Sequence, residues 1–148
     1  TVHVLNELQS IVVQCAKAAA IATGTKEEVK QRYPTYADLF IPDKTRELLQ
    51  SIYQELEIDP IASEGSQGST DAGNVDQVMP VFHPTLAIEA KEPIMLHHQS
   101  FADHVKQPEG LAAMEKAAKV LVTLVNRLSE SDSLWKGILQ EHREYRSI

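Results

Sequence analysis

Two short stretches carry the residue types that chemistry needs. The first is Gly68-Ser69-Thr70-Asp71, inside a Gly- and Ser-rich run that opens at Gly65. Glycine lets the backbone approach a ligand closely. Ser69 and Thr70 supply hydroxyls that can donate to or accept from a carboxylate or an amide. The plain alternative is an ordered turn in which Asp71 acts as a cap. The second stretch is Leu96-His97-His98-Gln99-Ser100-Phe101. Neutral imidazole is a good zinc ligand, so His97 and His98 are candidate metal ligands, and a structural role for the pair is the alternative. A Gly-rich polar loop and a histidine pair flanking an apolar run suggest a site where a small polar ligand meets a metal or an acid–base group. Of the other histidines, His3 and His142 sit among polar neighbours near helix ends and are expected at the surface. His104 follows His97 by seven residues and reads as a supporting or surface position. Dinucleotide and phosphate-loop glycine patterns are absent, as is a Gly-x-Ser-x-Gly serine elbow.

The bulk of the chain narrows the possibilities. Its 148 residues, 43% apolar and 24% charged, suit a soluble globular protein with a real core. A net charge of −7 without a basic stripe argues against a nucleic-acid partner, because phosphate binding needs clustered Lys and Arg. The one cysteine, Cys15, excludes an internal disulfide and is expected to be a buried, inert thiol. No apolar run reaches membrane-spanning length and no signal peptide is evident, so no membrane partner and a cytoplasmic location are expected. The chain starts at Thr1, already inside a helical pattern, which suggests a fragment or a trimmed chain.

The elements that must position these residues follow from periodicity. Val4, Leu5, Leu8, Ile11, Val12, Cys15, Ala18, Ala19 and Ala22 recur at helical spacing over about Val2 to Thr23, with Gly24 as the C′ residue. Its Ala-rich turns would lie close against a sheet. Thr25 to Tyr33 reads as an exposed edge strand that Pro34 stops. A helix starts at Asp43, a possible cap, and ends near Ile58, with Leu48, Leu49, Ile52, Tyr53 and Leu56 apolar. The Gly-, Ser-, Thr- and Asp-rich Ala62 to Asn74 reads as an ordered loop, because it feeds Val75 to Ile88. That run predicts one or two short strands broken at Pro80 and Pro84. A helical turn over Ser100 to Val105 precedes Pro108, which suits a first helical position. The clearest helix, Glu109 to Leu128, has Leu111, Met114, Ala117, Ala118, Leu121, Leu124, Val125 and Leu128 as its stripe. A last helix runs from about Asp132 to Tyr145.

Taken together, these pieces resemble the C-terminal part of the co-catalytic two-zinc amidohydrolase and metallopeptidase family, which includes aminoacylase, desuccinylases, indole-acetyl-amino-acid hydrolases and aminobenzoyl-glutamate hydrolases. Ala18-Ala19-Ala20-Ile21-Ala22-Thr23-Gly24 looks like the second helix of the family's lid. Pro34-Thr35-Tyr36 looks like the return from the lid. Gly68-Ser69-Thr70-Asp71-Ala72-Gly73-Asn74-Val75, running on to Val78-Met79-Pro80 and His83-Pro84, looks like the active-site loop and following strand. Leu96-His97 with Phe101 looks like the late metal-ligand histidine, and Glu109 to Leu128 like the closing helix.

The resemblance implies an α/β fold: the end of a small α+β lid or dimerisation domain at 1–41, then the closing part of a zinc-peptidase-like catalytic α/β domain at 42–148. It implies that His97 binds one zinc, with His98 the fallback, and that Gly68, Ser69 and Thr70 line the substrate pocket. Asp71 would hold the loop's shape or stand behind it. The family's early His-x-Asp, bridging Asp, Glu-Glu pair and further acid have no counterpart here, and Glu27-Glu28 does not match. The implied function is therefore a fragment of a zinc-dependent hydrolase of N-acyl or N-aroyl amino acids or small peptides. This chain alone would neither hold the family's two zinc ions nor catalyse. The implied partners are a small amide substrate with a carboxylate and a second copy, paired through the lid. The alternative is a non-catalytic α/β binding or assembly module without the metal site.

Overall fold

Helix α1 spans Val2–Thr23 and ends where expected: Gly24 adopts φ 67°, and its N–H turns back to the last carbonyls of the helix. Its start is held from a distance. Thr1 makes no side-chain cap, and Asp38 instead accepts the Val2 N–H at 3.1 Å. A carboxylate there satisfies an orphan donor and faces the positive end of the helix dipole. α2 spans Asp43–Glu55, α3 Ala72–Asp76, α4 Gln99–Val105, α5 Pro108–Glu130 and α6 Asp132–Arg146. Pro108 occupies the first turn of α5. Ser131 caps α6 by accepting the Leu134 N–H at 3.3 Å, with Asp132 in its first turn and Arg143 and Arg146 in its last. The computed structural model describes residues 1–59, 68–92 and 94–147; Gly65 to Gln67 of the Gly/Ser-rich run, and Pro93, lie outside them.

The chain divides into two compact units. The first comprises Thr1–Phe40 with Gly68–Val81; the second holds α2, α4, α5 and α6. The second unit has the hydrophobic core. Leu48 and Ile52 of α2, Val120 and Leu124 of α5 and Ile138 of α6 are buried together, and Tyr53, Phe82, Leu86, Leu128, Leu134 and Trp135 pack around them. Burial pushes the Tyr53 hydroxyl pKa up. Lys44 of α2 pairs with Glu141 of α6, which also accepts the Lys44 N–H at 3.1 Å. That contact raises the Lys44 pKa and lowers that of Glu141. Arg127 of α5 reaches Glu55 of α2 at 2.6 Å. Ile52 and Ile138 have no exposed surface. Ile52→Ala is expected to destabilise this unit by about 2–5 kcal/mol, the lost transfer energy plus a cavity. Urea unfolding checks this, and a loss below about 1 kcal/mol would show that the site collapses around the deletion.

The structure corrects several expectations. The α/β fold is not observed: the described residues form helices, turns and irregular segments, with no strand and no sheet. Residues 25–36 lie outside any helix but make no ladder, and Val29 and Tyr33 are exposed. A strand exists only through its partner, and Lys26, Glu27, Glu28 and Lys30 give this segment little strand preference of its own. The expected strand at Val75 to Ile88 begins instead as the end of α3, and Pro80 to Ala90 is irregular. Without a sheet to lie on, α1 exposes Val4, Leu8, Ile11 and Val12, and its Ala20 alone is buried. Cys15, expected to be buried, is exposed on the same helix. His142, expected at the surface, is buried: it lies four residues after Ile138 on the inner face of α6. No helix among the described residues is long and apolar enough to cross a membrane.

Candidate functional site

The loop from Gly68 to Asp71 belongs to the first unit. Gly68 has φ 136°, a conformation L side chains rarely adopt, and open space where a Cβ would stand. Ser69 is exposed. Thr70 ties the loop to α3: its hydroxyl accepts the Ala72 N–H at 3.2 Å and its carbonyl the Gly73 N–H at 3.4 Å. The side-chain bond at the start of the helix thus comes from Thr70, while Asp71, the N-cap residue by position, contributes its backbone carbonyl to Asn74 at 2.9 Å and makes no side-chain cap bond. Thr70 keeps its hydroxyl hydrogen to donate, and the exposed Asp71 carboxylate is left outside the cap.

A clip on the far side of α3 holds it in place. Asn74 accepts the Ala37 N–H at 3.1 Å and donates to the Thr35 carbonyl at 2.9 Å. Gln77 donates to the Asp38 and Gly73 carbonyls at 3.1 and 3.0 Å. Buried Asp76 accepts the Phe40 N–H at 2.8 Å. Gly73 is required for this closeness, because a Cβ there would stand 2.0 Å from the Ala37 carbonyl oxygen. None of Asp38, Asn74, Asp76 and Gln77 stands out by residue type. The signal that could have found them is Gly73 inside an Asn- and Asp-rich turn, where a close backbone approach is the usual reason for glycine.

His97 and His98 belong to the second unit and have different surroundings. The His98 N–H returns to the Met95 carbonyl at 3.3 Å, closing a turn over Met95 to His98. His97 is the third residue of that turn and has φ 62°. This is the type II pattern, whose third position demands positive φ. Histidine tolerates that region better than most residues, at a cost of order 1 kcal/mol. The His97 ring is exposed, and no described residue forms a hydrogen bond or ion pair with it. His98 is the N-cap of α4. Its Nδ1 accepts the Ser100 N–H at 3.2 Å and lies 2.9 Å from the Ser100 hydroxyl. That bond puts the proton of neutral His98 on Nε2, so the lone pair a metal would need is already engaged.

α4 is anchored at its other end. His104 Nδ1 lies 3.0 Å from Glu109 Oε1 across the α4–α5 corner. Gly110 lets the last carbonyls of α4 press on α5; a Cβ there would stand 2.3 Å from the Val105 oxygen and 2.4 Å from that of His104. A pocket of about 90 Å³ lies beside this corner, lined by Ala87, Glu89, Glu109, Ala112, Ala113 and Lys116. Lys116 and Glu89 pair at 2.5 Å. The space suits a few waters, not an acyl amino acid.

No three His, Cys, Asp or Glu side chains converge as a metal site among the described residues. His97 can offer one donor, and zinc sites use three or four. No family model and no curated protein matches the chain.

Proposed function

We propose that this chain is the C-terminal part of a zinc-dependent amidohydrolase or peptidase acting on N-acyl or N-aroyl amino acids or small peptides, in the cytoplasm. The observation that carries the reading is the division of labour at His97-His98. His97 is held at positive φ with an exposed ring that no described residue engages, directly before a helix whose cap occupies its neighbour's ring. A non-glycine residue kept in a sparsely populated conformation points toward function. In this reading His97 supplies one imidazole to the metal, and further ligands come from outside the chain.

Zinc, when bound, lowers the pKa of its water toward ~7 and polarises a scissile carbonyl. The work of this chain's residues is recognition. The exposed Ser69 hydroxyl presents a donor to a substrate carboxylate or amide, and open space beside Gly68 leaves room for close approach. Thr70 holds the loop's shape through its bond to Ala72 and can still donate its own hydrogen.

The test is the complete gene product that carries this sequence. Loaded with zinc, it is expected to release free amino acids from N-acetyl and N-benzoyl amino acids, to lose that activity with a chelator and to regain it with added zinc. Upstream codons for His-x-Asp and a Glu-Glu pair are expected as well. Metal-loaded protein that cleaves none of a panel of acyl amino acids and dipeptides would overturn the reading, as would an upstream sequence lacking both motifs.

A further inference from the structure

We infer that Asn74 and Gln77 are positioning residues that set the substrate selectivity of the Gly68–Asp71 loop by fastening it to residues 35–38. The inference rests on the amidohydrolase reading above.

α3 has five residues, far fewer than a helix needs to be stable alone. Its place is fixed by what it is bonded to. On one side Thr70 joins the loop to the first turn of the helix, its hydroxyl accepting the Ala72 N–H and its carbonyl the Gly73 N–H. On the other side the Asn74 carboxamide uses both of its ends on one extended segment, taking the Ala37 N–H and giving to the Thr35 carbonyl. It thereby satisfies backbone groups that a neighbouring strand would otherwise pair. Gln77 bridges the same segment to the helix through two carbonyls, Asp38 and Gly73. The Asp38 side chain in turn accepts the first N–H of α1. An unbroken run of bonds therefore leads from the N-terminus of α1, through 35–38, to Asn74 and Gln77, and on through the Thr70 cap to Ser69 and Gly68. The residues that would touch a substrate carboxylate take their position in part from two side-chain amides that touch no substrate, beside the buried Asp76–Phe40 bond.

Positioning and mere folding make different demands on kinetics. A loosened loop loses the group it recognises, whereas a destabilised protein loses all substrates alike. In the zinc-loaded complete gene product, Asn74→Ala is expected to raise KM about tenfold for an N-acyl amino acid, a modest effect beside the roughly 100-fold that a 1 Å misplacement can cause. For the matching N-acyl amino acid amide, which lacks the carboxylate, KM and kcat are expected to stay within about twofold. Amide exchange is expected to quicken at Ala37, Ala72 and Val2 together. Asn74→Asp keeps the acceptor for Ala37 and loses the donor to Thr35, so it is expected to fall between wild type and Asn74→Ala; it also serves if the alanine variant does not fold. Equal losses on both substrates, or an unchanged KM for the carboxylate substrate, would overturn the inference while leaving the amidohydrolase reading intact. A wild-type enzyme that hydrolyses neither substrate would remove that reading and the inference with it.

Discussion

Asparagine at His97 is expected to lower zinc-dependent amide hydrolysis by the complete enzyme more than about 100-fold, exceeding the 10–100-fold that loss of a residue behind a ligand costs. Asparagine is the informative replacement. It accepts the φ of 62° that the Met95–His98 turn imposes, so the backbone is kept and the imidazole alone is removed. His98→Asn is the matched control. Asparagine is among the best N-caps and can accept the Ser100 N–H in place of Nδ1. Activity within a few-fold of wild type is expected, whereas His98→Ala removes the cap and costs α4 about 1 kcal/mol. Parallel zinc analysis and initial rates on the variants check the assignment. If His98→Asn fell as far as His97→Asn, the ligand would be His98 or neither, and the division of roles between the two rings would be wrong.

Gly110→Ala is expected to be the most damaging single methyl in the second unit. The added Cβ would fall 2.3 and 2.4 Å from two carbonyl oxygens at the end of α4. These are backbone atoms and cannot swing aside as a side chain would. Alanine gains helix preference of up to about 1 kcal/mol over glycine, but overpacking against rigid neighbours costs about 1–3 kcal/mol and occasionally more. The clash wins, because relieving it means moving α4 off α5 and straining the His104–Glu109 contact. Thermal unfolding is expected to show a net loss of about 1–2 kcal/mol. A variant as stable as wild type would mean that the α4–α5 corner opens freely.

What the amino-acid sequence disclosed differs from element to element. α1, α5 and α6 were legible because their ends carry local chemistry: Gly24 beyond the first, Pro108 opening the second, Asp132 opening the third. The stripe of α5 was legible in period and partly in phase: its Leu124 and Leu128 join the core. Val120 and Leu124 are buried, while Leu111, Met114, Leu121 and Val125 are exposed. A helix apolar on two adjoining faces does not say which one meets the core. The polar neighbours of His142 point to the surface, yet its spacing from Ile138 puts it on the inner face. Val75 and Val78 looked like strand residues, yet the first closes a turn of α3 and both are exposed. Their local preference lost to the Thr70 cap and the Asn74 clip, the second of which depends on residues far away in the chain. Of the candidate site, the loop was marked by Gly68. The resemblance picks His97, with His98 as the fallback; the backbone angle and the cap bond that set the two rings apart are not legible in residue types.

The first unit is discontinuous, and that has a consequence during synthesis. Its segment at Thr35–Phe40 is bonded to residues 36 to 39 positions further on, after the chain has left to make α2 for the other unit. At a translation rate of about 5–20 residues per second, the early segment leaves the ribosome roughly 2–8 s before its partners do. Helix turns form in about a microsecond or less, so α1 is complete long before α3 exists to receive Thr35 and Ala37. For those seconds the 35–40 backbone stands bare in the nascent chain, and the order in which the polypeptide is made opposes the order in which this unit can close.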